Sequence, residues 1–331
     1  MTYDLITLGR VNMDLFSQDV GADFADATGF DAMVGGSPTN IAIGTCRLGL
    51  RSIAFTAVGD DPVGDFVLRS LEADGVVCDH VHRKPGKLTS LALLGVKPPD
   101  EFPLAFYRED PADIHLTVDD ARRLPFEDAK AMLLSGNALS RGTCAEAVTH
   151  AMERARDSGL ATFMDLDLRP TEWKRPSDYS GAMLGVMEFV DTLVGTEEEL
   201  GAAFRLDPGT FGASQGMCDS DRRELDALLS HNAKSGIVDT TVVKRGPRGV
   251  SVITGAGRID VSGFEVEVVN TVGAGDAFAS GLIWARLQGK GWEDAARFAN
   301  ACGAIVVTRH GCSSAFPTLE EVEGFIAAAE R

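Results

Sequence analysis

The chain has 331 residues, 44% of them hydrophobic, enough to bury a large core as one big α/β domain or two smaller ones. Its 49 acidic and 31 basic residues give a formal net charge of -18, so the surface repels nucleic acid and anionic lipid, and a phosphorylated ligand needs a local anion site. Six scattered cysteines without a CxxC pair, no basic-apolar leader and no apolar run near the roughly 20 residues that span a bilayer point to a reduced, cytoplasmic protein.

Strand-like runs alternate with helical patterns along most of the chain, which predicts a mainly parallel sheet covered by helices on both faces. The runs are 5–8, 53–58, 131–135, 162–165, 192–195, 241–244 and 250–253. Helical patterns at 65–71 and 143–158 stop at Gly75 and Gly159, where glycine tolerates the left-handed turn that ends a helix. Segments 12–34 and 88–110 break the rhythm with strand-like runs and no helix between them. Runs 88–96 and 104–107 would pair as a hairpin around Pro98-Pro99, and together these pieces read as a small β lid, the alternative being edge strands of the main sheet. Cys78, His80 and His82 alternate onto one strand face without a fourth metal ligand in view, and read as a half-exposed strand before the lid. Residues 209–220 look like a surface connection.

Two glycine-rich segments carry the chemistry. In Gly35-Gly36-Ser37-Pro38-Thr39-Asn40 the chain turns into a helix, with Ser37 a plausible N-cap and Pro38 at the first helical position. Backbone can approach a polar ligand there. Asn40 can donate and accept toward hydroxyls, and Asp14, just past the first strand, would complete a pair gripping a diol. In Asn270-Thr-Val-Gly273-Ala274-Gly275-Asp276 small residues precede an apolar run at helical spacing, so a helix begins near Ala274. The free N–H groups of Gly273, Ala274 and Gly275 would form an anion hole for a transferring phosphoryl group, with Asp276 placed to accept a proton from an attacking hydroxyl. A plain helix cap and turn explains the same four residues about as well on their own. Neither a GxxxxGK[ST] loop nor a dinucleotide fingerprint occurs, since Phe278 stands where the third glycine would fall.

The two segments in this order, with most of the chain between them, resemble the paired signatures of the ribokinase-type (PfkB) carbohydrate kinases. The resemblance covers essentially the whole chain. It implies a single three-layer α/β/α domain over 1–331 with a β-sheet lid, often shared between the subunits of a homodimer. It implies Asp276 as catalytic base beside a hole of Gly273, Ala274 and Gly275, with ATP and Mg2+ as cofactors. Lys244, Gly246 and Gly249 resemble the strand and turn that line the nucleotide, and Asn300 resembles an adenosine-side contact. Glu199 resembles the glutamate that organises magnesium-bound water, although Thr196 stands where the family usually has asparagine. Asn270 stands where many members have an aspartate linked to monovalent-cation binding, so that requirement is not carried over.

A sugar acid presents a carboxylate, which favours a guanidinium fork. Arg108 closes the lid hairpin, and Arg169 follows a core strand in Asp165-Leu-Asp167-Leu-Arg169, where it faces the crevice or forms a surface ion pair with Asp167. With Asp14, Gly36 and Asn40 these make the expected sugar site. The Phe106-Tyr107-Arg108 and Asp165-x-Asp167-x-Arg169 runs resemble the keto-deoxy sugar-acid kinases of the family. The implied substrate is 5-dehydro-2-deoxygluconate, then 2-dehydro-3-deoxygluconate, with fructose and ribose behind. A non-catalytic sugar or nucleotide sensor on the same fold is the competing class, and it has no need for Asp276 beside an anion hole.

Overall fold

The computed structural model describes residues 2–97, 102–205 and 217–330. The strands are β1 (Tyr3–Leu8), β2 (Asn12–Ser17), β3 (Phe30–Gly35), β4 (Ser52–Gly59), β5 (Val81–Lys84), β6 (Ser90–Leu94), β7 (Leu104–Tyr107), β8 (Ala129–Ser135), β9 (Ala161–Asp165), β10 (Thr192–Thr196), β11 (Thr240–Lys244), β12 (Val250–Thr254) and β13 (Gly257–Val261). The helices are α1 (Ser37–Arg47), α2 (Pro62–Ala73), α3 (Val118–Ala121), α4 (Cys144–Asp157), α5 (Pro176–Val186), α6 (Glu197–Ala203), α7 (Asp219–Ser235), α8 (Ala274–Leu287), α9 (Trp292–Val307) and α10 (Leu319–Ala329).

The main sheet runs β13-β12-β11-β10-β9-β8-β1-β4-β5. Every pairing from β11 to β5 is parallel, and β12 and β13 close one edge antiparallel. The strands read as near-continuous apolar runs because both faces are covered. Ile6, Met132 and Met164 pack on Ala147, Val148 and Ala151 of α4 on one side. Leu5, Ala131, Leu133 and Phe163 pack on Ile41 of α1 and on Ala279 and Ile283 of α8 on the other. This is the three-layer α/β/α sandwich the strand and helix rhythm predicts.

All seven expected main-sheet strands are present. Gly75 and Gly159 adopt positive φ just past α2 and α4, as helix stops do. Of the strand expected over 78–82, only Val81 and His82 are extended, at the start of β5, which runs parallel to β4 at the sheet edge, and Cys78 and His80 precede it, so the three side chains do not share a strand face. The lid strands form a separate sheet ordered β3-β2-β6-β7, with the expected β6–β7 hairpin antiparallel and β2 parallel to β6. They do not extend the main sheet. The hairpin tip at Pro98-Pro99 and residues 209–216 of the expected surface connection lie outside the described residues. Among the described residues no helix is long and apolar enough to cross a membrane.

Candidate active site

In a parallel sheet the crevice lies beyond the C-terminal strand ends. Here those ends deliver Arg10 after β1, Ser135 at the end of β8, Asp165, Asp167 and Arg169 at and after β9, Thr196 and Glu199 after β10, and Lys244 at the end of β11. The N-termini of α1 and α8 converge on the same place. Asn40 Nδ2 donates to Asp276 Oδ2 at 2.8 Å, joining residues 236 positions apart. One turn further along each helix, Gly44 lies against Ser280, and a Cβ there would overlap the Ser280 hydroxyl and come 2.8 Å from Phe316. Only glycine permits that approach, so helix packing holds the Asn40–Asp276 pair in register.

α8 begins at Ala274, as expected, with Gly273 as its N-cap at φ +84°. Among the described residues the N–H groups of Gly273 and Gly275 have no hydrogen-bond partner, leaving two donors at a helix N-terminus for an anion. The expected third free donor is corrected: Ala274 N–H reaches Thr271 O at 3.3 Å, a long bond. The turn before the hole is clipped by buried Asn270, which donates to Gly311 O at 2.8 Å and accepts from Val272 N–H at 3.0 Å. An aspartate could not make the first bond, which gives the asparagine a local reason. Burial raises the Asp276 pKa, the Asn40 hydrogen bond opposes it, and the nearby Asp167 charge adds to the rise. A carboxylate so raised is, when ionised, a better proton acceptor than an ordinary one.

On the lid side, Gly36 rather than Ser37 is the N-cap of α1, and Ser37 and Pro38 are its first helical residues. Gly36 is at φ +102°, and a Cβ there would meet Arg10 O at 2.5 Å, so glycine is required. Asp14 is buried on β2 with its carboxylate packed on Gly35 and hydrogen-bonded by Asn12 Nδ2. Burial pushes its pKa up to about 7, against the pull of Arg10. Arg169 pairs with Asp167 at 2.9 Å, but this is no surface ion pair: Asp167 is buried, accepts from Ser135 Oγ at 2.8 Å and lies 3.7 Å from Arg10 Nε. Burial pushes Asp167 up, yet the Arg169 and Arg10 guanidiniums outweigh it and hold it below the usual range. Arg108 is buried and engaged by Asp113 at 2.7 Å and Glu172 at 3.4 Å, and with Phe106 and Trp173 it borders a cleft of about 1090 Å³.

On the opposite side, Lys244 Nζ sits 3.1 Å from Asp165 and 3.9 Å from Glu199, and close beside Gly275 of the hole. Burial disfavours its charge, but the two carboxylates outweigh that and hold it protonated. Asp165 is raised to about 7 by burial, only partly offset by Lys244, with Glu199 and Asp167 adding to the rise. Glu199 caps α6 through Thr196 N–H at 2.8 Å and accepts from Leu168 N–H at 3.1 Å, so it ties β9 and β10 together. Gly246 and Gly249 take positive φ in the turn after β11, where a Cβ on Gly249 would overlap Val261 O. Arg245 and Arg248 of that turn are anchored on buried Glu197 at 3.2 and 2.6 Å. Asn300 is on α9, donating to Val261 O and Ser262 O just after β13.

Asp14, Gly36, Asn40, Arg169, Lys244, Glu199 and Asp276 are thus gathered at one crevice, with Arg108 at its rim and Gly246, Gly249 and Asn300 along its β11–β13 flank. Sequence reasoning passed over Arg10 and met Asp167 only as the ion-pair partner of Arg169. Arg10 carries the same signal that marked Arg169, a charged residue just beyond a core strand. Cys312, whose Sγ is 3.3 Å from Asn40 Nδ2, is brought to the site by tertiary packing.

The sequence profile of the pfkB family carbohydrate kinases matches residues 3–319. A protein of Geobacillus thermodenitrificans named 5-dehydro-2-deoxygluconokinase is 33% identical over 325 residues, 98% of this chain and 93% of that protein. One of the same name from Listeria innocua is 32% identical over 334 residues, 99% of this chain and 97% of that protein. Among solved structures, fructokinase from Xylella fastidiosa with bound ATP superposes with a TM-score of 0.83 at 25% identity, covering 100% of both chains. With a profile match over nearly its whole length, the chain belongs to the pfkB family of carbohydrate kinases, phosphotransferases acting on a sugar hydroxyl.

Proposed function

We propose that the protein transfers the γ-phosphoryl group of ATP to the 6-hydroxyl of 5-dehydro-2-deoxy-D-gluconate, a step of myo-inositol breakdown. The observation that carries the reading is the Asp276 carboxylate beside the unpaired N–H groups of Gly273 and Gly275, held by Asn40 from the lid side. Asp276 takes the proton of the attacking hydroxyl as the new oxygen–phosphorus bond forms and the bond to the ADP oxygen breaks. The two amides and the Lys244 ammonium beside Gly275 stabilise the charge on the moving group. The names of the bacterial relatives support a keto-deoxy sugar acid, and Arg169 supplies a guanidinium for its carboxylate.

The Arg245–Gly249 turn and Asn300 flank the place proposed for the nucleotide. Magnesium prefers hard oxygen ligands and usually keeps several waters beside the phosphates, which fits Asp165 and Glu199 as the carboxylates at hand. When bound it neutralises phosphate charge. We further propose a homodimer formed through the lid, whose strand β7 leaves Tyr107 64% and Leu104 45% exposed at the sheet edge, and a cytoplasmic location. The test is ADP release with magnesium-ATP against 5-dehydro-2-deoxygluconate, 2-dehydro-3-deoxygluconate, fructose and ribose. The first should give the highest kcat/KM, and a higher value for any other member of the panel would overturn the substrate.

A further inference from the structure

Three arginines face one another at the lid side of the crevice, and they are not equally provided for. Arg108 has Asp113 Oδ2 at 2.7 Å and Glu172 Oε1 at 3.4 Å. Arg169 has Asp167 Oδ1 at 2.9 Å and also donates to Leu168 O at 3.1 Å. Arg10 is only 6% exposed, yet among the described residues its nearest carboxylate oxygen is Asp167 Oδ2 at 3.7 Å, beyond hydrogen-bonding distance. The Nε of all three lacks a hydrogen-bond partner, but Arg108 and Arg169 are each held through their terminal nitrogens, whereas among the described residues the one side-chain bond of Arg10 is a long 3.4 Å contact from Nη1 to Asn12 Oδ1. A buried guanidinium is stable only when paired and hydrogen-bonded, so this one is short of an anion.

The position says which anion. Arg10 follows β1 between the sheet and the lid, and its guanidinium lies 5.2 Å from the centre of the Phe106 ring on β7. Lys244 ends β11 and contacts Asp165 at the end of β9, whereas Arg10 follows β1, two strands further along the sheet, so a nucleotide phosphate beside Lys244 is not the natural occupant. Arg10 Nη1 reaches Asn12 Oδ1 at 3.4 Å and Asn12 Nδ2 in turn donates to Asp14, so a chain of contacts links the guanidinium to a carboxyl of the proposed sugar site. A planar fork with open donors matches a carboxylate, the group at the far end of a sugar acid from its terminal hydroxyl.

We propose that Arg10 is a substrate-binding, specificity-determining residue that pairs with the carboxylate of the sugar acid, under the Phe106 ring of the lid. This rests on the proposed sugar-acid substrate. Arg169, fixed by Asp167 at 2.9 Å, shares the same carboxylate from beside it, and Arg108 ties the lid to the body through Asp113, which also accepts from Val11 N–H at 3.1 Å.

The experiment compares Arg10→Met with wild type on two substrates, 5-dehydro-2-deoxygluconate and the same sugar with a hydroxymethyl group in place of the carboxylate. Loss of a charge-assisted pair should raise KM for the acid about 10- to 150-fold. KM for the neutral analogue and for ATP should stay near wild-type values, a split that a merely structural arginine would not produce. Equal losses on both sugars, or a preference for the acid that survives the substitution, overturns the role of Arg10 alone. A wild-type enzyme with no preference for the acid overturns the sugar-acid reading and this inference together. Should Arg10→Met fail to fold, Arg10→Gln, which keeps a donor for Asn12, is judged by the same ratio.

Discussion

Replacing Asp276 by asparagine changes one atom of the site and tests the chemistry directly. The side chain keeps its shape and an oxygen that can accept from Asn40 Nδ2, now 2.8 Å away, so the α1–α8 contact should persist. The N–H groups of Gly273 and Gly275 are untouched, and ATP affinity by titration calorimetry should change little. An amide cannot take the hydroxyl proton. Removing a positioned base costs about 100- to 10,000-fold in turnover, roughly 3–5 kcal/mol of barrier, measurable by coupled ADP release. The pH profile gives a second readout. Burial raises the Asp276 pKa above its ordinary 3.8, and the base works only when ionised. Wild-type kcat/KM should therefore fall as pH drops through that raised value, and the variant should lack this limb. Wild-type turnover in Asp276→Asn, or an unchanged acid limb, would refute the assignment of the base.

Gly273→Ala should cost far more than Gly289→Ala. Both glycines have positive φ, but a Cβ at Gly273 also meets Cys312 Sγ at 2.7 Å whereas Gly289 faces open space. Thermal melting should show a loss of about 1–3 kcal/mol of backbone strain in each, with turnover falling about 100-fold or more only where the hole is displaced. Asp14→Asn tests the buried lid carboxyl. Its pKa is about 7 folded against 3.8 unfolded, so its contribution to stability is complete below about pH 4 and is lost as pH rises through 7. Urea denaturation from pH 4 to 8 should show wild type losing up to about 4 kcal/mol relative to the variant. Parallel curves would mean that Asp14 is not held protonated by its burial.

The sequence alone determined the layered α/β architecture and the start of α8 at Ala274, while the choice between a separate lid and edge strands of the main sheet was settled by the tertiary pairing. Those features are local. Apolar runs long enough only for strands, helical spacing between them, and glycine where the backbone must turn left are each visible within a dozen residues. The helix start beside Asp276 was legible for the same reason, but the local residues fitted a plain cap as well as an anion site, and it was the resemblance carried by the paired glycine-rich segments that pointed to a base there. Only the tertiary structure decided what each polar side chain does. Arg108 and Arg169 look alike in the sequence, yet one is clasped by Asp113 and Glu172 and the other sits on Asp167 in the crevice. Arg10 shares with Arg169 a place just beyond a core strand, but only its burial and the 3.7 Å gap to Asp167 marked it as a guanidinium short of a close anion. Pairing depends on which neighbours a side chain meets across hundreds of residues, and that is settled by packing, as when Gly44 lets α1 approach α8 closely enough for Asn40 to reach Asp276.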